Sequence, residues 1–169
     1  QAGSDSTLKR MRRNTTTSSF RALIHSAREM IPDVAITTDI IAGFPGETDE
    51  EFAQTLDFVN EMNFAGGHVF TYSPRPGTGA AKMKGQIQPE VRKKRNHILH
   101  GALEESSKSY REKFIGREVS VLWESTSEMG ERGWLMEGLT QNYLRVQASA
   151  ESPRWTVRWP PSASTCAMR

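Results

Sequence analysis

The stretch AITTDIIAGFPGETDEEF, residues 35–52, constrains the fold more than any other part of the chain. From Val34 to Phe44 the residues are β-branched and apolar with little alternation, the pattern of a strand covered on both faces in an α/β sheet, and Pro45-Gly46 ends it. Thr48 followed three residues later by Glu51 predicts a capping box, and Phe52, Leu56 and Val59 line the helix that follows. Asp49, Glu50 and Glu51 suit the positive end of that helix. A strand that turns through glycines directly into a helix is a βα unit, and α/β sheets bind ligands at the carboxyl ends of their strands. Gly43 and Gly46 let backbone approach a bound molecule closely, although the same residues would serve a tight turn alone. The neighbouring acids favour a cationic or hydroxyl-bearing ligand over a phosphate.

The flanking segments extend this α/β pattern. Phe20, Leu23, Ile24, Ala27 and Met30 recur at three and four, which predicts a helix over 17–30 with one buried stripe, stopped by Pro32. Gly66-Gly67 leads into HVFTY, a second short strand, and SPRPGTGAAKMKGQ reads as a long loop. Pro89 then opens a helix of some twenty residues with Val91, Ile98, Leu99 and Leu103 on its apolar side. From Arg117 the pattern changes to all-β: EVSVLWES, RGWLMEGL and NYLRVQA are separated by turns such as 128–131, as in a small antiparallel barrel. The boundary falls near residue 114. The last segment, SPRWTVRWPPSASTCAMR, has no sustained period.

Charge is unevenly placed although the net charge is only +2. Residues 1–30 hold six Lys and Arg against two acids, and residues 31–62 hold eight acids and no Lys or Arg. Residues 63–103 then carry Arg75, Lys82, Lys84, Arg92, Lys93, Lys94 and Arg95 against Glu90 alone. Such a run would suit an anionic partner such as RNA if its bases share a face, and is otherwise a set of solvated helix faces. No window approaches eighteen uninterrupted apolar residues and no secretory signal opens the chain, so a cytoplasmic protein without membrane partners is expected. The one cysteine, Cys166, permits neither an intrachain disulfide nor an all-cysteine metal site.

The segments LKRMRR, TTDIIAGFPGETDEEF, HVFTYSPRPGTGAA and the strands of 117–148 resemble, in the same order, the radical S-adenosylmethionine methylthiotransferases. Their details are most similar to the MtaB group, which acts on threonylcarbamoyladenosine in tRNA. The resemblance covers about residues 1–150. It implies an α/β followed by all-β chain: the last βα units of a radical SAM partial TIM barrel over 1–113, an incomplete antiparallel TRAM β-barrel over 114–152, and an unassigned divergent tail over 153–169. It implies S-adenosylmethionine and [4Fe–4S] clusters as cofactors, and tRNA, through its anticodon stem-loop, as partner of a monomer. The family's cluster-binding cysteines have no counterpart here, and one cysteine cannot hold a cluster. The chain is therefore expected to be a fragment, inactive alone, of an enzyme adding a methylthio group to threonylcarbamoyladenosine. A sister enzyme acting on isopentenyladenosine in tRNA or on a ribosomal protein, or an RNA-binding module without chemistry of its own, are the alternatives. QAGSD resembles the family's Gln-Ser-Gly-Ser-Asp with Ala2 substituted, the family's basic-Tyr pair reads Asn14-Thr15, and the resemblance stops near Ser152.

Four residues are candidates for the cofactor. Arg13 matches an arginine of the family's Met-x-Arg segment, and its planar fork suits a carboxylate or phosphate. Asp39 is an acid inside an apolar strand, costly to bury unless paired or facing a cavity. Gly43 and Glu47 belong to the turn, where Glu47 either accepts hydrogen bonds from a ligand or favours the adjacent helix terminus. Tyr72 and Arg75 lie in a proline-rich loop at a strand's carboxyl end, the substrate side of barrel enzymes. His68, at the start of the same strand, is more readily structural than catalytic. In the small barrel Arg132, Gln141, Asn142 and Arg145 are the candidates for an RNA surface beside the aromatics Trp134 and Tyr143.

Overall fold

A computed structural model describes residues 1–128, 133–150 and 167–168, in two units, Gln1–Tyr110 and Arg111–Arg169. The elements of the first unit are α1 (Asp5–Arg10), α2 (Thr17–Met30), β1 (Thr37–Ala42), α3 (Asp49–Met62), β2 (Gly66–Thr71), a single 3-10 turn (Ala80–Lys82) and α4 (Pro89–Glu112). β1 and β2 pair in parallel, from Thr37 beside Gly66 to Ala42 beside Thr71. Two parallel neighbours joined through a helix form the expected βα unit. On the other edge of β1 the Ile41 amide donates to the Gln1 carbonyl at 2.9 Å.

Local signals account for the helices. Thr48 and Glu51 form the predicted capping box at the start of α3, and Thr16 with Ser19 makes a second one that opens α2. Asn63 ends α3 in the left-handed conformation, with φ 47°, as C-terminal caps often do. α1, only six residues long, carries no periodic signal; its buried Thr7 and Leu8 hold it in place.

The core gathers Ile40 and Ala42 of β1, Val69 of β2, Ile24 of α2, Phe58, Val59 and Met62 of α3, Phe64, and Leu99 and Leu103 of α4. Burying a side chain of this size is worth about 1.5–3 kcal/mol each against leaving it in water. All of it lies on one side of the two-stranded sheet. The expectation of a strand covered on both faces is therefore corrected: β1 alternates, with Thr37 and Asp39 exposed and Ile40 and Ala42 buried. The polar residues at positions 37, 38 and 39 dilute the apolar run, and only the Ile40 face meets helices. The stripe predicted for α2 is also narrower, because Ile24 is buried whereas Leu23 and Met30 are 63% and 80% exposed.

In the second unit β3 (Val121–Glu128), β4 (Trp134–Thr140) and β5 (Arg145–Ala150) form an antiparallel sheet, and β6 (Ala167–Met168) pairs with β5. A register shift between Trp123 and Ser125 bends β3. Met136, Val146 and Ala148 are its most buried apolar residues. β5 begins three residues later than the predicted NYLRVQA because 141–144 form the turn, with Tyr143 at φ 62° and the Leu144 amide donating to Thr140 Oγ1 at 2.9 Å. Of the turn predicted at 128–131, residues 129–131 lie outside the described residues. No described helix is long and apolar enough to cross a membrane.

Glu51 ties α1 to α3. Its carboxylate receives Arg10 Nη1 at 2.9 Å and Arg10 Nη2, and it caps the Thr48 amide at 3.0 Å. Arg10 first, then the Thr48 amide, hold the Glu51 carboxyl below the ordinary glutamate value of 4.5 against partial burial. A carboxyl with a depressed folded-state pKa adds stability above its unfolded value and loses it as pH falls through the folded one. Glu51→Gln should therefore lower the urea midpoint at neutral pH and flatten its fall below pH 4.5. Parallel acid slopes in urea titrations of the two proteins would place the acid sensitivity elsewhere.

Candidate functional site

The turn after β1 carries the densest chemistry. Glu47, 3% exposed, accepts from the Gly43 amide at 3.0 Å and from Arg95 Nη1 at 2.8 Å. The same Arg95 nitrogen reaches the Glu47 carbonyl at 3.0 Å, while Nη2 donates to Asp49 at 2.6 Å. The Arg95 guanidinium also lies 5.2 Å from the Phe52 ring centre, a cation–π placement. Burial pushes the Glu47 carboxyl above its ordinary range, opposed by Arg95 and the Gly43 amide. The ion pair geometry, with both partners under 7% exposed, makes the charged form the one this pocket is built around.

Gly43 and Gly46 adopt φ 72° and 78°, where a side chain would be strained. A Cβ on Gly43 would also collide with Arg92 Cγ, and Gly46 faces the Arg10 guanidinium and donates its amide to the Gly85 carbonyl at 2.8 Å. The close approaches at these glycines are thus made by Arg92, Arg10 and Gly85 of the chain itself. Arg92 donates from Nη1 to the Tyr72 carbonyl at 2.5 Å. The Tyr72 ring meets Phe44 edge-on at 5.4 Å, and neither its hydroxyl nor Arg92 Nε has a hydrogen-bond partner among the described residues.

Arg95 and Asn96 stand one helical turn after Arg92 on α4, and Asn96 donates to the Val69 carbonyl at 3.0 Å. The cationic run over 63–103 is corrected accordingly: Arg95 is buried against acids and Arg92 is half-buried on Tyr72, which leaves Arg75, Lys82, Lys84, Lys93 and Lys94 exposed. The sequence signal for this role was present in the eight acids of 31–62, which lack any local base.

Arg13 and Asp39 are both exposed, and both act on the amino group of Gln1: burial and Arg13 push its pKa down while Asp39 raises it. A cation and a carboxylate therefore lie within Coulomb range of one point beside β1. A pocket of about 210 Å³ opens next to it, lined by Arg13, Thr16, Phe20, Ile40, Phe58 and Phe64. Arg75 is exposed; its carbonyl receives the Thr78 amide at 3.2 Å and hydroxyl at 2.8 Å, which closes the loop after Tyr72.

In the second unit Gln141 and Arg145 are exposed, Asn142 is half-exposed and bonded to Thr140 Oγ1 at 2.5 Å, and Tyr143 is 81% exposed. Arg145 lies 3.8 Å from Glu124. Trp134 is half-buried. Arg132 and Cys166 lie outside the described residues. Among the described residues no group of three His, Cys, Asp or Glu side chains could hold a metal ion. They do not fit an iron–sulfur cluster, which takes thiolate ligands. Arg13 belongs to the lining of the 210 Å³ pocket and Asp39 lies outside that lining.

Residues 1–59 match the model of the Radical SAM superfamily. The chain is 49% identical over 122 residues to a tRNA-2-methylthio-N(6)-dimethylallyladenosine synthase of Thermobifida fusca, covering 72% of this chain and 25% of the relative. It is 41% identical over 143 residues to the threonylcarbamoyladenosine tRNA methylthiotransferase MtaB of Thermotoga maritima, covering 85% and 31%. The tRNA-2-methylthio-N(6)-dimethylallyladenosine synthase of Acetivibrio thermocellus is 43% identical over 152 residues, covering 90% and 31%. The chain thus spans between a quarter and a third of the length of these curated relatives.

Two stability tests follow from the turn. Arg95→Ala strands the Glu47 carboxylate in the interior and should cost about 3–5 kcal/mol of unfolding free energy. Arg95→Ala combined with Glu47→Gln should recover a large part; a single-site cost below 1 kcal/mol in urea melts would show the pair to be dispensable. Gly43→Ala should cost about 1–3 kcal/mol from the left-handed backbone and more from the Arg92 collision. A double-mutant cycle with Arg92→Ala should reveal positive coupling, and strict additivity would mean that Arg92 does not crowd Gly43.

Proposed function

We propose that this chain, which belongs to the radical SAM tRNA methylthiotransferase family, supplies the later βα units of a radical SAM partial TIM barrel and a TRAM-type RNA-binding barrel to an enzyme that methylthiolates an N6-modified adenosine in tRNA. The observation that carries the reading is the parallel β1–α3–β2 unit, with its glycine turn and its exposed Asp39, lying largely inside the segment matched by methylthiotransferases of both substrate types. The favoured substrate is threonylcarbamoyladenosine; the sister reaction on dimethylallyladenosine is the second reading, because relatives of both names match at similar identity.

When bound, S-adenosylmethionine supplies the radical chemistry of such an enzyme. Arg13 would hold a carboxylate through its fork and Asp39 an ammonium, each accessible without breaking an internal ion pair. Gly43 and Glu47 support that site indirectly, since Glu47 is committed to Arg95 and Gly43 to Arg92. Tyr72 and Arg75 would stand on the substrate side, at the carboxyl end of β2. Cluster ligands would come from outside the described residues, in a protein that is cytoplasmic and monomeric.

For the second unit, Gln141, Asn142 and Arg145, with Arg132, would face the anticodon stem-loop, and the exposed Tyr143 ring beside them suits an unpaired base. Expressed in cells lacking their own methylthiotransferases, the protein carrying this chain should yield 2-methylthio nucleosides in hydrolysed tRNA. Arg145→Ala should weaken stem-loop binding and reduce the log–log salt slope by roughly 0.7–0.9. Tight salt-dependent binding without any methylthio product would favour an RNA-binding module, and no product with no binding would overturn the proposal.

A further inference from the structure

Asp39 and His68 are direct neighbours across the parallel ladder, and Ile41 and Phe70 are the next pair on the same side. Residues paired across a ladder share a face of the sheet. This is the face that no described helix covers: Asp39, His68 and Phe70 are all exposed, Phe70 by 53%. The His68 ring lies 6.1 Å from the Phe70 ring, tilted by 45°. A carboxylate, an imidazole and a phenyl ring therefore adjoin on the open side of a parallel sheet, where both faces are ordinarily covered by apolar packing. Polar groups at the middle of such a face are costly when dry and are stabilised by a hydrogen-bonding ligand.

We infer that His68, with Asp39 beside it, selects a threonylcarbamoyl over a dimethylallyl substituent on the adenosine. The inference rests on the functional reading above and names the substrate class of that site. The two substituents differ in what they offer. A threonylcarbamoyl group brings a carboxylate, a hydroxyl and a urea, whereas a dimethylallyl group brings only carbon and hydrogen. An imidazole N–H donates to the carboxylate or the urea carbonyl, with Asp39 beside the ring across the ladder. Phe70 packs on the apolar remainder. Against a dimethylallyl group the polar pair would be desolvated with nothing to bond, and sites built to bond a polar group reject analogues that lack it.

The test is a competition between tRNAs bearing the two nucleosides, using the protein that carries this chain and its His68→Leu and His68→Gln variants. The wild type should prefer the threonylcarbamoyl substrate. His68→Leu should reduce that preference by roughly 10- to 100-fold, mostly through KM, as expected for a lost hydrogen bond to a charged group. His68→Gln, which keeps an N–H donor, should restore part of it. Independently, N6-threonylcarbamoyladenosine should shift the His68 ring resonances of the 169-residue chain, and N6-dimethylallyladenosine should not. An unchanged preference in a folded His68→Leu protein, a wild-type preference for dimethylallyladenosine, or ring resonances that ignore the threonylcarbamoyl nucleoside would each overturn the inference. Methylthiolation of neither tRNA would overturn the functional reading itself, and the inference with it.

Discussion

The buried ion pair between Arg95 and Glu47 is the interaction on which the first unit depends. Two charges removed from water lose several kcal/mol each of hydration, and only close geometry with further hydrogen bonds returns it. Glu47 has that geometry: Arg95 at 2.8 Å and the Gly43 amide at 3.0 Å. Since the Gly43 amide can reach Glu47 only when the chain turns sharply, the pair fixes the backbone that joins β1 to α3. It also fixes the position of α4, whose Arg92 and Asn96 then fall on the Tyr72 and Val69 carbonyls. Val69 belongs to the outer strand, so the Asn96 amide takes the place of a ladder partner there. One helix face thereby closes the edge of β2 and the turn after β1 at once.

How much of this could be read from the residues follows from where each signal resides. α2, α3 and α4 were legible because caps and apolar periods are local, and both strands of the parallel pair followed from their composition. α1 was missed because six residues cannot show a period, and its stability comes from Leu8 and Arg10 reaching across to other elements. The exposure of one β1 face was missed because alternation in Thr37-Thr38-Asp39 is between polar residues, which hydropathy does not separate. Arg92 and Arg95 were legible as charge and not as partners. The acids of Arg95 lie 48 and 46 positions earlier in the chain and the carbonyl that Arg92 meets lies 20 earlier, separations that only the fold can bring together.

The same distribution separates supporting residues from those open to a ligand. A side chain whose hydrogen-bonding groups are all engaged inside the chain cannot also meet a ligand without breaking a bond. Glu47 Oε2 is engaged in this way by the Gly43 amide and Arg95, and Gly43 is the space that Arg92 fills. Arg13, Asp39, His68 and Arg75 are exposed. They surround β1 and β2 from the Gln1 edge to the loop after Tyr72, so the chemistry displaced from the turn reappears on the strands themselves.

That displacement bears on which positions can vary without disturbing the scaffold. The interior pair and the glycine turn set the backbone. Side chains that can change without moving the backbone lie on the open face of β1 and β2, where such changes cost least. Asp39, His68 and Phe70 are exposed there and Ile41 is half-buried. A substitution at one of these positions leaves the Arg95–Glu47 pair and the core untouched, yet changes the polarity that a bound substituent would meet.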